Sequence, residues 1–419
     1  MRILIVNAQS ANHNNATGIT MRSVLQHFSP DNIMELYMQP CVLANDPLPI
    51  KSIRVPFNVA PLRCIANAVF KNKSVSEKKY TVAKKQSFKS KLLSRLIMML
   101  DFEPIFLPKH FCDKIKEFNP DCIYTLGNAI DVMNFAIKLS KKLSVPVLPH
   151  FMDNWPESHR YGKDKYPGHL RKTQKTLKKL YSHSKCALCI SEKMASVYEA
   201  RHGVPHYALM NSVDVSKFSC DKSVENSKIL TYAGGLHLNR YKSLMSIADA
   251  VDKINLENNA DYILKIYTDE KSIQQYSDCF KDKKCVELNG YVPHDQIKEI
   301  YEQSKVLIHT ETFDEEYQDF IKYSLSTKIS EYLATKRAIF LYAPNDIFVY
   351  EYIKDNKVGV AVSEAEDVFK ELSLLLDSDE QCKKLSQNAQ ALAFEKHNFD
   401  KCIDVFKQAL EETACENKI

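Results

Sequence analysis

The chain opens on RILIVNA (residues 2–8), a continuous apolar run of the kind expected for a strand covered on both faces in a parallel sheet. A polar loop, SANHNNATG, follows, and the spacing then predicts a helix from about Ile19 to Phe28. DCIYTL (121–126) comes after the Asn119–Pro120 turn signal and reads as a strand, as does VPVLPHFM (145–152). CALCIS (186–191) is a further strand, running into the helix-like EKMASVYEARHG. Between Asn211 and Lys228 the periodicity lapses into a polar segment. A second series then starts: KILTYAG, a helix from about Leu244, YILKIYT, CVELNGY, KVLIHT, RAIFLYA and VGVAVS. The tail from about Asp379 to Glu412 reads as helical. Strands alternating with helices across short turns predict parallel α/β sheets, and the repetition of the series predicts two similar Rossmann-like domains. The expected boundaries are 1–211, 212–395 and a C-terminal helix in 396–419 that packs back on the first domain.

The length agrees with this division, since 419 residues suit two domains of about 200 residues better than one core. Hydrophobic residues make up 45% and charged residues 26%, which is ordinary for a globular protein. No secretory signal pattern opens the chain, and the longest apolar stretch, Leu92–Leu107, is interrupted by Arg95, Asp101 and Glu103, so no membrane span is expected. The twelve cysteines are scattered and are expected to be reduced. Cys186 and Cys189, three apart on a strand, point to opposite faces and make a poor chelate. His202 and His206 are separated by Gly203 and Pro205, which argues for a loop. No metal site is expected.

Charge changes the picture. Residues 1–211 hold 31 Lys and Arg against 15 Asp and Glu, a net of +16, while residues 212–419 hold 26 against 37, a net of −11. The first half is therefore expected to meet an anionic surface or substrate. Lys71, Lys73, Lys78, Lys79, Lys84 and Lys85 head a lysine-rich stretch that faces only Glu77 before Arg95 and ends in the apolar LLSRLIMML. A basic segment feeding an apolar one, within 69–107, predicts a peripheral anchor on anionic lipid; a solvated loop followed by a core helix is the plainer alternative. Nucleic acid is disfavoured, because Tyr80 and Phe88 are the only aromatics in 71–95 and stacking platforms are missing.

Ligands of doubly wound sheets bind at the carboxyl ends of the strands. Gly234–Gly235, the only adjacent glycine pair, follows KILTYA directly and permits close approach of backbone to a phosphate or sugar. Arg240 and Lys242 lie just beyond, placed to neutralise a diphosphate. In SLSTKISEYLATKRAIF (324–340), Ser326 and Thr327 suit a helix start and, with Lys328, form an anion site. Glu331, one turn in, is either a hydrogen-bond acceptor for a ribose diol or a solvated residue of a capped helix.

Six segments in order, VPVLPHFMDNWP, CISEKMASVYEARHG, MNSVD, LTYAGGLHLNRYKSL, ELNGYVPHDQIKEIYEQSKVLIHT and STKISEYLATKRAIF, resemble glycosyltransferase family 4 over most of residues 121–345. The resemblance implies the GT-B fold, two Rossmann-like domains facing across a cleft, and a retaining, metal-independent transferase. It would use a nucleotide-sugar donor, UDP- or GDP-linked, and no other cofactor. It implies that Glu331, the second glutamate of the family's E-x7-E signature, holds the donor ribose. Lys242, with Arg240, would bind the diphosphate, and Tyr291 and Val292 would form the turn whose backbone reads the base. Gly18 would lie in the first-domain loop near donor and acceptor, and Asp153 would be the acid ending the strand that faces the cleft. Three positions depart from the family. Tyr323 replaces the first glutamate of E-x7-E, with Asp314, Glu315, Glu316 and Asp319 nearby. Gly235 replaces an arginine, and Met152 stands where a histidine is common, leaving His150, two residues back on the same strand face, as a candidate catalytic group beside Asp153. The expected setting is transfer to a lipid-linked or glycan acceptor in surface polysaccharide or glycolipid synthesis, at the cytoplasmic face of the plasma membrane. A non-catalytic nucleotide-sugar-binding partner, a GT-B epimerase and a pyridoxal-phosphate-dependent phosphorylase stay open as alternatives.

Overall fold

The computed structural model describes residues 1–59, 61, 103–158, 168–220 and 222–415. The lysine-rich stretch 71–95 and LLSRLIMML lie outside them, as does the proposed anchor as far as Phe102. The chain divides into two compact units, the first made of Met1–Leu209 with Ile403–Ile419 and the second of Met210–Cys402.

The first unit is built on a parallel sheet of seven strands: β1 (Ile3–Asn7), β2 (Ile33–Tyr37), β3 (Lys51–Arg54), β4 (Cys122–Thr125), β5 (Val147–Phe151), β6 (Ala187–Cys189) and β7 (His206–Ala208). Their spatial order is β3-β2-β1-β4-β5-β6-β7. Ile3 registers with Ile33 on one side and with Cys122 on the other, so β1 is central. Every residue of β1 is buried, and each large apolar side chain placed there contributes about 1.5–3 kcal/mol of burial energy. Helices α1 (Ala16–Leu25), α2 (Lys109–Phe118), α3 (Ile130–Leu143), α4 (His169–Tyr181) and α5 (Glu192–His202) connect the strands. α1 starts three residues earlier than the hydrophobic spacing predicts, because Asn15 caps it and accepts from the Gly18 amide at 2.8 Å. Gly18 is therefore inside a helix, not in the loop that the family resemblance implied.

β2 carries a buried acid, Glu35, in an otherwise apolar strand. Its carboxylate accepts from Ser10 Oγ at 2.6 Å, from Ser52 Oγ at 2.8 Å and from the Ala11 amide. Burial pushes the carboxyl up from its ordinary range, although all three hydrogen bonds oppose the shift. The loop after β1 is thereby tied to the neighbouring strand.

The second unit repeats the plan with six parallel strands in the order β10-β9-β8-β11-β12-β13. They are β8 (Ile229–Ala233), β9 (Ile263–Tyr267), β10 (Val286–Asn289), β11 (Val306–Thr310), β12 (Ala338–Tyr342) and β13 (Val360–Val362). Its helices are α6 (Val215–Phe218), α7 (Arg240–Glu257), α8 (Glu270–Phe280), α9 (Ile297–Gln303), α10 (Glu315–Ile321), α11 (Thr327–Ala334), α12 (Phe348–Asp355), α13 (Ala365–Asp377) and α14 (Asp379–Leu392). In both units the strand order reverses beside the first strand, between β1 and β4 and between β8 and β11, which is where such sheets open a crevice.

The tail is not one continuous helix. A π-helical turn, Ala393–His397, and the extended Asn398 separate α14 from α15 (Phe399–Ala414). The His397 ring, fully buried, fixes this break: Nδ1 meets the Asn211 carbonyl at 2.8 Å and Nε2 meets Tyr352 Oη at 2.9 Å. The chain passes back to the first unit within α15. Ile403, Phe406, Leu410 and Thr413 make a buried stripe at helical spacing. Phe406 packs edge-on against Phe28 and Tyr124, and Cys186 Sγ lies 3.4 Å from Thr413 Oγ1.

The His13 carbonyl passes directly over Gly18, so a Cβ there would sit 2.0 Å from that oxygen. Gly18→Ala is expected to lower stability by about 1–3 kcal/mol through overpacking, read as a fall in the urea midpoint; an unchanged midpoint would mean that the loop yields freely.

Candidate functional site

In the second unit, β8 ends at Ala233 and the chain turns through Gly234 and Gly235. A Cβ on Gly235 would stand 2.4 Å from His237 Nδ1, and Tyr232 Oη donates to the Gly235 carbonyl at 2.9 Å. A side chain at 235 would have to displace the His237 ring. Leu238 and Asn239 then both adopt left-handed backbone, with φ of 57° and 61°. Two consecutive non-glycine residues in this region are strained and hold the turn in one shape. Asn239 is the cap residue of α7 but makes no side-chain cap. Its amide is drawn instead to Asp314. An 18-residue helix therefore presents its N-terminal end without a side-chain cap, a place of positive potential.

Arg240, the first residue of α7, is bound bidentately by Glu311, with Nε and Nη2 at 2.9 and 2.8 Å from the two carboxylate oxygens. Glu311 follows β11 immediately and is buried. Burial alone would raise its carboxyl, but the Arg240 guanidinium and His309, 3.3 Å away, hold it down at about 2. Ser243 Oγ also donates to the Glu311 carbonyl at 2.7 Å. The end of β11 and the start of α7 are thereby stapled together. Lys242, one half-turn on, is about half exposed (52%) and contacts Asp314 at 2.8 Å. The hydrogen bond to Asp314 raises Lys242 from its ordinary value, and the bond from Lys242 in turn lowers Asp314. Both cations expected to meet a diphosphate thus already have carboxylate partners, one buried and one exposed.

The second cluster lies on α11. Ser326 caps it, accepting from the Lys328 amide at 3.3 Å. Thr327 opens the helix, and its carbonyl accepts from Ser330 Oγ. Glu331 is 4% exposed. Tyr301 Oη donates to its Oε2 at 2.9 Å, Lys328 Nζ approaches the same oxygen at 3.3 Å, and His294 Nε2 is 3.2 Å from Oε1. Burial raises this carboxyl, but the Lys328 charge with His294 and Tyr301 outweighs it and sets the group at about 2. Glu331 is a fixed anion rather than a solvated surface residue. Next to it, Tyr332 Oη accepts from the Ala233 amide at 3.2 Å, which brings α11 against the end of β8 and joins the two clusters. Val292 packs partly buried against the core and Tyr291 is exposed, both in the loop after β10.

Tyr323 lies in the turn between α10 and α11. Glu315, Glu316 and Asp319 are on α10, whereas Asp314 is committed to Lys242 and Asn239. Glu311, His294 and Tyr301 went unnoticed in the sequence. Glu311 was hidden among the acids of HTETFDEE, and its position directly after the strand KVLIHT was the available signal.

In the first unit, Asp153 follows β5, and its Oδ1 accepts from the Trp155 amide at 3.0 Å. Asn154, buried beside it, accepts from Tyr198 Oη at 2.9 Å. His150 is fully buried within β5, with Nδ1 2.8 Å from Tyr124 Oη. Burial alone lowers it to about 3, so the ring is neutral. Its Nε2, by contrast, is buried with no hydrogen-bond partner among the described residues. Among the described residues no group of three or more His, Cys, Asp or Glu is arranged to hold a metal ion, and no helix is long and apolar enough to cross a membrane.

Comparison with known proteins bears on this site. Residues 246–398 match the family model described as glucosyltransferase 3-like, C-terminal domain. No curated protein sequence matches the chain. Among solved structures the chain is similar to HepE of Anabaena in complex with UDP, with a TM-score of 0.65 at 10% identity, covering 98% of this chain and 100% of that one. It is also similar to TarM (TM-score 0.65, 11% identity, 98% and 99% covered) and to a glycosyltransferase from Rickettsia africae (TM-score 0.59, 12% identity, 98% and 97% covered). The fold is that of the GT-B glycosyltransferases.

Glu311 and Glu331 are held well below the ordinary carboxylate value of 4.5. A depressed folded-state value stabilises the fold above the unfolded value, and that stabilisation is lost as pH falls from about 4.5 towards 2. Glu311→Ala leaves Arg240 buried without its partner and is expected to cost about 3–5 kcal/mol at neutral pH. It should also flatten the acid limb of a plot of urea midpoint against pH; an unaltered limb would show that the pair does not contribute.

Proposed function

We propose that the protein is a glycosyltransferase of the family 4 type, which binds a nucleoside-diphosphate sugar on the second unit and transfers the sugar to a glycan or lipid-linked acceptor. The observation that carries this reading is Glu331. A buried carboxylate fixed as an anion, one turn inside a helix that abuts the glycine turn of β8, suits a ribose diol. Tyr301, Lys328 and His294 orient it, and its two oxygens retain acceptor capacity for two hydroxyl donors. The family match over this unit and the nucleotide complexes of its structural neighbours support the same assignment; HepE is described with UDP, with UDP and glucose, and with UDP-glucose. UDP is accordingly the first carrier to test, ahead of GDP.

The diphosphate would lie over Gly234–Gly235 and the N-terminus of α7. Lys242, exposed and held by a single carboxylate, is free to swing from Asp314 to the phosphates. Arg240 keeps its bond to Glu311 and offers its remaining N–H groups, since a guanidinium has five donors. Lys328 and the Ser326–Thr327 helix start would add positive potential where charge builds on the leaving group. Tyr291 and Val292 would line the base. Asp153 would orient the acceptor hydroxyl or stabilise the positive charge developing on the sugar, with His150 as packing behind it and Gly18 shaping the loop after β1. The reaction would proceed with retention and without a metal, in surface polysaccharide or glycolipid synthesis at the cytoplasmic membrane face. The rival reading is a non-catalytic nucleotide-sugar-binding partner, favoured by Tyr323 in place of an acid. It gives binding without turnover. An epimerase would instead release products with no acceptor present.

Thermal unfolding with UDP, GDP, ADP and CDP and their sugar conjugates tests the site. A ligand at a hundred times its Kd stabilises by about 2.7 kcal/mol. One nucleotide is expected to raise Tm, with the rise abolished in Glu331→Ala; no rise with any of them, in folded protein, would defeat the donor site. Lys242→Ala is expected to change stability by less than about 1 kcal/mol, as for an exposed ion pair. Loss of its charged hydrogen bond to the diphosphate should slow transfer by about 10- to 100-fold. Full transfer by that variant would remove Lys242 from the mechanism.

A further inference from the structure

α4 has two opposite sides. Thr173, Leu177, Leu180 and Tyr181 are buried against the unit, whereas Arg171, Lys172, Lys175, Lys178 and Lys179 are exposed. At 100° per residue the five cations fall within an arc of roughly 120°. No acid occurs between Gly168 and Ser191, so α4 contributes no carboxylate to this face. The adjacent helix extends the same sign: Lys138, Lys141 and Lys142 are exposed at i, i+3 and i+4 near the end of α3. The two rows meet at His183, whose Nδ1 lies 3.1 Å from Ser140 Oγ. Burial lowers that histidine, and the charges of Lys141 and Lys179 lower it further, so one lysine from each helix stands beside the same ring. At the far end, Lys138 Nζ sits 5.9 Å from the ring centroid of Phe106, an aromatic that is 52% exposed.

We propose that this cationic face of α3 and α4, edged by Phe106, is a docking surface for an anionic lipid bilayer. Among the described residues Lys141, Lys175, Lys178 and Lys179 make no ion pair, and a broad array of flexible ammonium groups suits a fluid array of headgroup phosphates. Phe106 supplies the amphipathic edge that interfacial binding uses. Nucleic acid is less well matched, because the face carries one exposed aromatic and no series of stacking rings. The residues of this surface are not those of the lysine-rich stretch 71–95. It deepens the reading of a membrane-borne acceptor and takes its biological sense from it, but it is testable without any sugar transfer.

The test is flotation of the full chain with vesicles of phosphatidylcholine alone or with phosphatidylglycerol added. Lys175→Glu, Lys178→Glu and Lys179→Glu are combined in one variant, and Lys281→Glu, Lys383→Glu and Lys384→Glu, three exposed lysines of the second unit, in a control of equal charge change. Wild type and control are expected to float with anionic vesicles and not with neutral ones, and the α4 variant to lose roughly a hundredfold in affinity. Unchanged binding by the α4 variant, or an equal loss in the control, overturns the proposal, as does binding indifferent to phosphatidylglycerol. A face that binds RNA, with that binding and not vesicle binding lost in the variant, overturns it as well. Circular dichroism shows whether the variant is folded, and the triple Lys→Gln form replaces it if it is not. The nucleotide-induced rise in Tm should survive in the α4 variant, so failure of the donor site and failure of this surface remain distinct.

Discussion

The contact between Arg240 and Glu311 joins two strands' worth of loop to one helix. Burying a carboxylate or a guanidinium alone is costly, and each is tolerable here because the other is present in fork geometry. Arg240 is the first residue of α7 and Glu311 the first after β11, so the pair fixes the start of the helix against the end of the strand. The left-handed Leu238 and Asn239 are over-determined by the same contact, with the glycine turn on one side and the stapled helix on the other. Remove the pair and the shape of the phosphate-side turn is no longer specified.

A second carboxylate, Glu331, is stabilised differently. It has no bidentate partner but three donors from three elements: Lys328 from α11 itself, Tyr301 from α9 and His294 from the loop before α9. Its charge is thereby made independent of pH across the physiological range, while its exposure is kept small. In the first unit Glu35 takes the opposite course. Neutral hydroxyls and one amide surround it, and its carboxyl is pushed up rather than down. One sheet plan, used twice, thus accommodates buried acids of opposite tendency, according to whether the neighbours are charged.

Much of this was legible in the chain. RILIVNA, CALCIS, KILTYAG and RAIFLYA are predominantly apolar, and each contains a strand paired on both sides, within one or two residues of its expected ends. The edge strands β3 and β7, KSIR and HYA, carry polar residues over half their length, and no local pattern separates them from loop. β2 was obscured by Glu35, an acid whose partners Ser10 and Ala11 are 25 and 24 residues away. The donor-side cations were found because they follow a glycine pair, but their carboxylate partners lie more than seventy residues downstream. Tyr301 and His294 stand 30 and 37 residues from Glu331. Periodicity reports which face of an element is covered, whereas pairings at such separations exist only once the sheet has formed. His150 shows the converse, since its place on a strand was read well and its complete burial beside Tyr124 was not.

The route of α15 has a consequence for synthesis. The stripe of Ile403, Phe406, Leu410 and Thr413 that covers Tyr124 and the thiol of Cys186 belongs to the first unit, yet it is translated after the whole of the second. At about 5–20 residues per second, the ribosome takes roughly ten to forty seconds to pass from Leu209 to Ile403. During that interval the first sheet is complete in strands, while the side chains on which α15 packs, Phe28 and Tyr124 among them, lack that cover. The nascent chain therefore carries a temporary apolar surface that its own last helix must find, and a ribosome stalled inside the second unit would leave that surface uncovered for chaperones to bind.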